Sequence, residues 1–156
     1  MFRKILIPLD GSPLAEQTLD FLPRFTQPLQ TELLLVSIVQ PWAYSMGVTD
    51  TMPTSALDTL IESWNFYLHQ QALRLTGAGY QVRTQIREGD TALEILSLAG
   101  SEGADLIAMS THGRAGLSRI ALGSIAERVL QSATLPLLLV RNQQVGQANK
   151  KIQQIL

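Results

Sequence analysis

Short apolar runs alternate with longer amphipathic stretches along this chain. Four runs are almost wholly apolar, which is typical of strands covered on both faces in a parallel sheet. They span residues 5–9, 33–39, 105–110 and 135–140. Residues 80–87 instead alternate apolar and polar positions, which predicts a half-exposed strand at a sheet edge.

Helical patterns lie between these runs. Ser12 is a suitable N-cap for a first helix, and Pro23 predicts that this helix ends early. Apolar residues at three- and four-residue steps predict a long helix over 56–76. Further helices are expected after Asp90, another suitable N-cap, and within 120–133. The alternation of strands and helices predicts an α/β fold, an open and mainly parallel five-stranded sheet with helices on both faces.

Composition narrows the function classes. The chain has 156 residues, about one domain, and its 46% hydrophobic content argues against disorder. A net charge of -1 gives no overall positive field for nucleic acid. The absence of cysteine excludes disulfides and thiolate chemistry, and two histidines exclude a multi-histidine metal centre.

Location and domain organisation follow from the same patterns. No apolar stretch approaches the roughly 18 residues of a membrane helix, and Asp10 interrupts the first apolar run. We therefore expect a cytoplasmic protein without membrane contact. The domain is expected over residues 1–141, followed by a polar tail over 142–156. The pattern over residues 40–55 predicts an unusually long loop, either a lid or a partly mobile segment.

The turn after the first predicted strand carries a candidate carboxylate. In doubly wound sheets, ligands bind beyond the carboxyl ends of the strands, and residues 8–12 follow such an end. Two interpretations of Asp10 stay open. It caps its own turn, or its oxygens accept from a ribose hydroxyl or coordinate Mg²⁺.

A second candidate loop runs from Ser110 through Gly113 to Gly123 and Ser124, where the helical pattern over 120–133 is interrupted. Glycine lets a phosphate approach the backbone, and the N–H groups at a helix start favour an anion. The alternative is a capping box of Ser124 and Glu127, which needs no ligand. Neither a Walker loop nor a G-x-G-x-x-G fingerprint is present.

Together these segments resemble the universal stress protein family. The motifs that carry the resemblance are Ile7–Ser12, Met109–Arg114, Leu122–Val129 and Pro136–Arg141. The resemblance spans about residues 2–141. It implies the strand order 3-2-1-4-5, which would bring the two candidate loops to one crevice.

The resemblance also implies ATP with Mg²⁺ as ligands. The ATP-binding members of the family carry G-x-x-G-x9-G-[ST], and this chain departs from it at Ser110, which replaces the first glycine. Asp10 is the implied contact for the ribose or the metal ion. The implied ligand-binding positions are Pro8, Leu9, Asp10, Ile38, Met109, Ser110, His112, Gly113, Arg114, Gly123, Ser124 and Ile125.

Several of these residues have a plain structural alternative. Ile38 lies against adenine or simply packs in the core. His112 contacts a phosphate or belongs to a turn. Arg114 and Arg119 neutralise phosphate charge or are solvated. His69, on the long helix, is expected to pack or to face solvent.

The expected function is a nucleotide-dependent stress-response switch rather than an enzyme, with at most very slow ATP hydrolysis, because no Walker lysine or positioned base is evident. The resemblance implies a homodimer through the uncharged strand Leu137–Val140. One alternative is an interaction protein of the same fold that binds no nucleotide. Another alternative is an adenylating enzyme. Such enzymes carry a phosphate loop after the first strand, and residues 10–13 are too short to form one.

Overall fold

The computed structural model describes residues 2–40, 54–111 and 122–141. These form a five-stranded, wholly parallel sheet in the order β3-β2-β1-β4-β5, which confirms the expected fold. The strands are β1 (Lys4–Pro8), β2 (Glu32–Val39), β3 (Gln81–Glu88), β4 (Leu106–Ser110) and β5 (Leu137–Val140). The helices are α1 (Pro13–Phe21), α2 (Thr54–Gly77), α3 (Thr91–Ser101) and α4 (Ser124–Ser132).

Two apolar cores lie on opposite faces of the sheet. Ile5 and Ile7 of β1 pack with α1 and α2 on one face. Leu6, between them, packs with α3 and α4 on the other face. All three side chains are fully buried, as expected for a strand covered on both sides.

Local chemistry sets the element boundaries. Ser12 caps α1, and its side chain accepts from the backbone N–H of Ala15. The helix ends at Phe21, and Pro23 lies in the short 3₁₀ turn that follows. This confirms the early end that the proline predicts.

Two strands depart from their predicted pattern. β5 begins at Leu137, two residues later than predicted, while Leu135 packs against the α3/α4 core. In β3, Val82 and Ile86 are partly buried but Thr84 is exposed. β3 is an edge strand with a neighbouring strand on one side only. Some positions on its apolar face, such as Thr84, therefore remain exposed.

Charged groups join the amino-terminal ends of the strands. One Asp105 carboxylate oxygen accepts from the backbone N–H groups of Arg3 and Lys4, at 2.6 and 2.9 Å. Nearby, Glu102 accepts from Arg83 at 2.8 Å and from Gln85 at 2.7 Å. These bonds tie β1 and β3 to the end of α3 and the start of β4.

Candidate functional site

The order of the strands creates a crevice at the carboxyl edge of the sheet. β1 and β4 are neighbours, with Leu6 opposite Ile107. The chain leaves β1 for α1 on one face and leaves β4 for α4 on the other. The two exits therefore diverge, which is the geometry of a ligand-binding switch point.

The turn after β1 has a defined hydrogen-bonded geometry. The Asp10 carboxylate accepts from the backbone N–H of Ser12 at 3.0 Å. Gly11 between them has φ 73°, a left-handed conformation that favours glycine. The turn-capping interpretation of Asp10 is therefore realised. The ligand-binding role of Asp10 stays a prediction, because both uses are compatible with one carboxylate.

Strand β2 forms two hydrogen bonds to Leu9, the residue that precedes Asp10. The backbone N–H of Leu9 donates to the Val36 carbonyl at 2.8 Å. The Ser37 hydroxyl donates to the Leu9 carbonyl, also at 2.8 Å. Ser37 is fully buried and Leu9 is 2% exposed, so both backbone polar groups of Leu9 are bonded in a buried environment. The contact of Leu9 with a ligand stays a prediction. A polar residue inside an apolar run was the signal in the sequence for Ser37.

Helix α2 reaches the same turn. The Tyr67 hydroxyl donates to the Glu16 carboxylate in α1 at 3.0 Å. Burial and then the charges of Glu16 and Asp10 raise the pKa of Tyr67, while the backbone of Gly11 lowers it. Trp64 packs edge-on against Tyr67, with 5.6 Å between ring centroids. Sequence reasoning missed Tyr67 and Glu16, because neither belongs to the apolar stripe.

The second loop is closed at its base. The backbone N–H of Gly123 donates to the Thr111 carbonyl at 2.7 Å, and the Thr111 N–H donates to the Val140 carbonyl at 2.9 Å. The start of α4 therefore lies next to the end of β4. Ser110, at the end of β4, is partly buried.

The capping-box interpretation of Ser124 and Glu127 is wrong. The N-cap of α4 is Gly123, and no side chain caps this end. Ser124 is the first helical residue, so its hydroxyl is one position too late for the box. Glycine has no side chain to occupy the space in front of the helix. Among the described residues, the N–H groups at the start of α4 therefore have no capping side chain, and Glu127 is the acidic residue of the first turn.

Ile38, the predicted adenine contact, and Met109, another predicted ligand-binding residue, lie on the α3/α4 side of the sheet. Met109 belongs to that core and is 6% exposed, and the partly buried Ile38 packs against it. The core-packing interpretation of Ile38 is realised, and its contact with adenine stays a prediction. Ile125 in the first turn of α4 is 37% exposed, and Pro8 at the end of β1 is partly buried.

Helix α3 begins beside the same edge. Asp90 caps it by accepting from the Leu93 N–H at 3.0 Å, as the sequence predicts. Gln40, just after β2, donates to the Thr91 hydroxyl at 2.7 Å. The exposed His69 on α2 has no place in this crevice.

Part of the predicted site lies outside the described residues. These positions are His112, Gly113, Arg114 and Arg119. The predicted lid falls mostly there too, over residues 41–53, as does the tail over 142–156. Residues 1–141 as a domain and 142–156 as a tail stay predictions.

The part of the chain that the structure describes has neither a metal-ligand cluster nor a membrane-spanning helix. Residues 2–40, 54–111 and 122–141 contain no group of three or more histidine, aspartate or glutamate side chains that could hold a metal ion. None of the helices described in those ranges is long and apolar enough to cross a membrane.

Comparisons with known proteins agree with the sequence motifs. A model of the universal stress protein family matches residues 1–141. The universal stress protein MJ0531 of Methanocaldococcus jannaschii is 30% identical over 146 residues, covering 90% of this chain and 83% of that protein.

Solved structures share the fold. The protein MJ0577, from the same organism, superposes with a TM-score of 0.81 at 28% identity, covering 92% of this chain and 99% of its own. A universal stress protein in complex with cAMP superposes with a TM-score of 0.63 at 16% identity, covering 90% and 97%. The expected resemblance is confirmed: this chain belongs to the universal stress protein family.

Proposed function

We propose that this protein binds ATP with Mg²⁺ in the crevice between β1 and β4 and acts as a nucleotide-dependent switch in a stress response. The observation that carries the proposal is the glycine N-cap of α4, which has no capping side chain. It lies at the end of β4, beside the strand that leads to Asp10. A phosphate there would accept from backbone N–H groups and from the Ser124 hydroxyl.

Asp10 complements the phosphate end of the site. Its carboxylate follows the neighbouring strand and is held by the Ser12 N–H. It would accept from a ribose hydroxyl or contribute one oxygen to Mg²⁺. A single carboxylate fits magnesium, because this ion keeps several waters and usually binds through one or two carboxylates and the substrate's phosphates. The described residues offer no cage of three acidic or histidine ligands, so the nucleotide would supply the rest.

The proposal includes no catalytic residue. Among the described residues, no lysine lies in a phosphate loop of the Walker type, and the chain lacks that motif. Any ATP hydrolysis would be slow. The ligand would act by favouring one conformation or assembly over another. The relative in complex with cAMP supports an adenine nucleotide as the ligand class.

We further propose a homodimer that pairs β5 with its symmetry mate, in the cytoplasm. The outer strands β3 and β5 differ in charge. β3 carries Arg83, Arg87 and Glu88, whereas β5 is Leu137–Val140 with no charge. Charges on an edge discourage pairing, and an uncharged apolar edge invites it. The free edge of β5 is therefore the better dimer interface.

Calorimetry on nucleotide-stripped protein tests the ligand. Mg-ATP, ADP, AMP and cAMP are titrated in turn, with micromolar ATP binding as the expected result. Binding of none of them by the parent, and recovery of ATP binding in Ser110→Gly, would mean that the serine closes the site. That result would favour the second candidate, an interaction protein, which the replacement of the first motif glycine supports.

A further inference from the structure

The turn that carries Asp10 is held from two sides by side chains that the family motif does not include. On the β2 side, Ser37 donates to the Leu9 carbonyl. On the α2 side, Tyr67 donates to Glu16 in the first turns of α1. The two bonds reach the turn from different strands and helices.

The Ser37 hydroxyl bonds to the backbone just beyond the end of β1. β1 ends at Pro8, so the carbonyl of Leu9 lies beyond the strand. A buried hydroxyl costs free energy unless it is bonded, and a leucine or valine at position 37 would pack like its neighbours. Serine is fully buried here and its hydroxyl reaches the peptide bond between Leu9 and Asp10. It therefore restrains the backbone immediately before the carboxylate.

The Tyr67 bond restrains the other end of the turn. Glu16 follows Ser12 by one helical turn, and its backbone N–H donates to the Ser12 carbonyl at 3.2 Å. Tyr67 connects this turn to α2, where the buried Trp64 supports its ring. The Tyr67 hydroxyl contacts the Glu16 carboxylate directly, and the negative charge of Asp10 also raises the pKa of Tyr67.

We infer that Ser37 and Tyr67 are positioning residues that hold the Asp10 turn in the geometry that receives the ligand. This inference rests on the proposed nucleotide site. Preorganisation of this kind raises affinity because the turn loses less conformational entropy on binding. Neither residue needs to touch the ligand.

Two variants and two matched controls test this inference. Ser37→Ala and Tyr67→Phe each remove one hydroxyl near the turn. Thr31→Val removes a buried hydroxyl that donates to the Phe2 carbonyl at 3.0 Å. Tyr80→Phe removes a bond of 2.7 Å to the Thr26 hydroxyl. Both control bonds lie at the amino-terminal edge, away from Asp10.

The readouts are the ATP affinity and the solvent exchange of the Ser12 amide, which donates to Asp10. We expect each turn variant to weaken ATP binding by about three- to tenfold, the effect of one hydrogen bond, and to accelerate Ser12 exchange. We expect the controls to lower the melting temperature without either change. Unaltered affinity and exchange in both turn variants, or equal losses in the controls, would overturn the inference.

The exchange measurement separates this inference from the proposed function. If the parent binds no nucleotide, the proposed function fails. Faster Ser12 exchange in Ser37→Ala and Tyr67→Phe, and not in the two controls, would still support their positioning of the turn. If the parent binds ATP and Ser12 exchange is the same in all five proteins, the positioning role fails and the nucleotide site stands.

Discussion

Asp90 and Arg128 form an ion pair with two hydrogen bonds, of 2.9 and 3.0 Å, that joins the start of α3 to α4. The same Asp90 carboxylate caps α3 through the Leu93 N–H. The Arg128 bonds, followed by the Leu93 bond, hold the pKa of Asp90 below its ordinary value. Arg128 follows Ser124 by one helical turn, so the pair braces the first turn of α4 against α3.

This brace predicts coupled effects on stability. Asp90→Asn keeps a side-chain oxygen for the cap but loses the charge, and Arg128→Gln loses the guanidinium. We expect each to lower the melting temperature slightly, because the pair is substantially exposed. The double variant should be little less stable than either single one. Strictly additive losses, measured by thermal unfolding, would contradict the brace.

The phosphate contact predicts the effect of a side chain at Gly123. Gly123→Val should weaken ATP binding by about a hundredfold or more, because several bonds to charged phosphate oxygens are blocked. The fold should survive, since φ −63° and ψ 147° at this position suit valine. Gly100→Val is the control, because the space around Gly100 in α3 is open. If Gly123→Val bound ATP with the affinity of the parent, the phosphates would have to bind elsewhere in the protein.

Two substitutions at Asp10 separate its roles in the turn and in the site. Asp10→Asn retains an oxygen for the Ser12 N–H but loses the charge, whereas Asp10→Ala loses both. We expect Asn to leave the melting temperature near that of the parent and to weaken Mg-ATP binding by about tenfold, in line with one bond to a charged group. Asp10→Ala should lower both the melting temperature and the affinity for Mg-ATP. An Asn variant that binds like the parent would reduce Asp10 to a turn residue.

The dimer proposal predicts the effect of a proline in β5. The carbonyls of Pro136 and Val140 accept from β4, so the backbone groups of Leu139 face the free edge. Leu139→Pro removes an outward N–H without breaking the bonds to β4. Light scattering should change from a dimer to a monomer of 17.1 kDa. A parent that is monomeric at micromolar concentration, or a variant that stays dimeric, would contradict the interface.

Acid stability follows from the amino-terminal edge. Backbone bonds from Lys4 and Arg3 lower the pKa of Asp105 from 3.8, and bonds from Arg83 and Gln85 lower that of Glu102 from 4.5. The unfolded chain therefore binds more protons than the folded one below these values, so stability falls as the pH falls through this range. Asp105→Asn should be less stable at pH 7 and show a shallower loss between pH 5 and about 2. The free energy of unfolding is measured by urea unfolding at each pH. The same dependence of this free energy on pH in Asp105→Asn and in the parent would contradict this prediction.

The strands and their order were predictable from the sequence for different reasons. Apolar runs such as residues 33–39 predicted parallel strands by themselves. The order of the strands came from the family motifs at Asp10 and Gly123, because periodicity does not encode which strands are neighbours. The helix starts at Ser12 and Asp90 were predictable, since capping depends on adjacent residues.

The contacts that hold the site were beyond local patterns. Ser124 with Glu127 matches a capping box, yet the backbone N–H of Glu127 donates to the Gly123 carbonyl at 2.9 Å. The N-cap is therefore Gly123, one residue before the serine that the box requires. Tyr67 and Glu16 are 51 residues apart, so only the packing of α2 on α1 brings them together. Arg128 likewise finds Asp90 across 38 residues.

The most direct test of the central claim is an amide chemical-shift titration of the nucleotide-stripped protein with Mg-ATP. We expect the largest shifts at Gly123, Ser124 and Ile125 at the start of α4 and at Ser12 in the Asp10 turn. In Gly123→Val, we expect the same shifts to need about a hundredfold more Mg-ATP or not to appear. Saturating Mg-ATP that leaves these amides unmoved, or that shifts only residues at the amino-terminal edge of the sheet, would contradict the site.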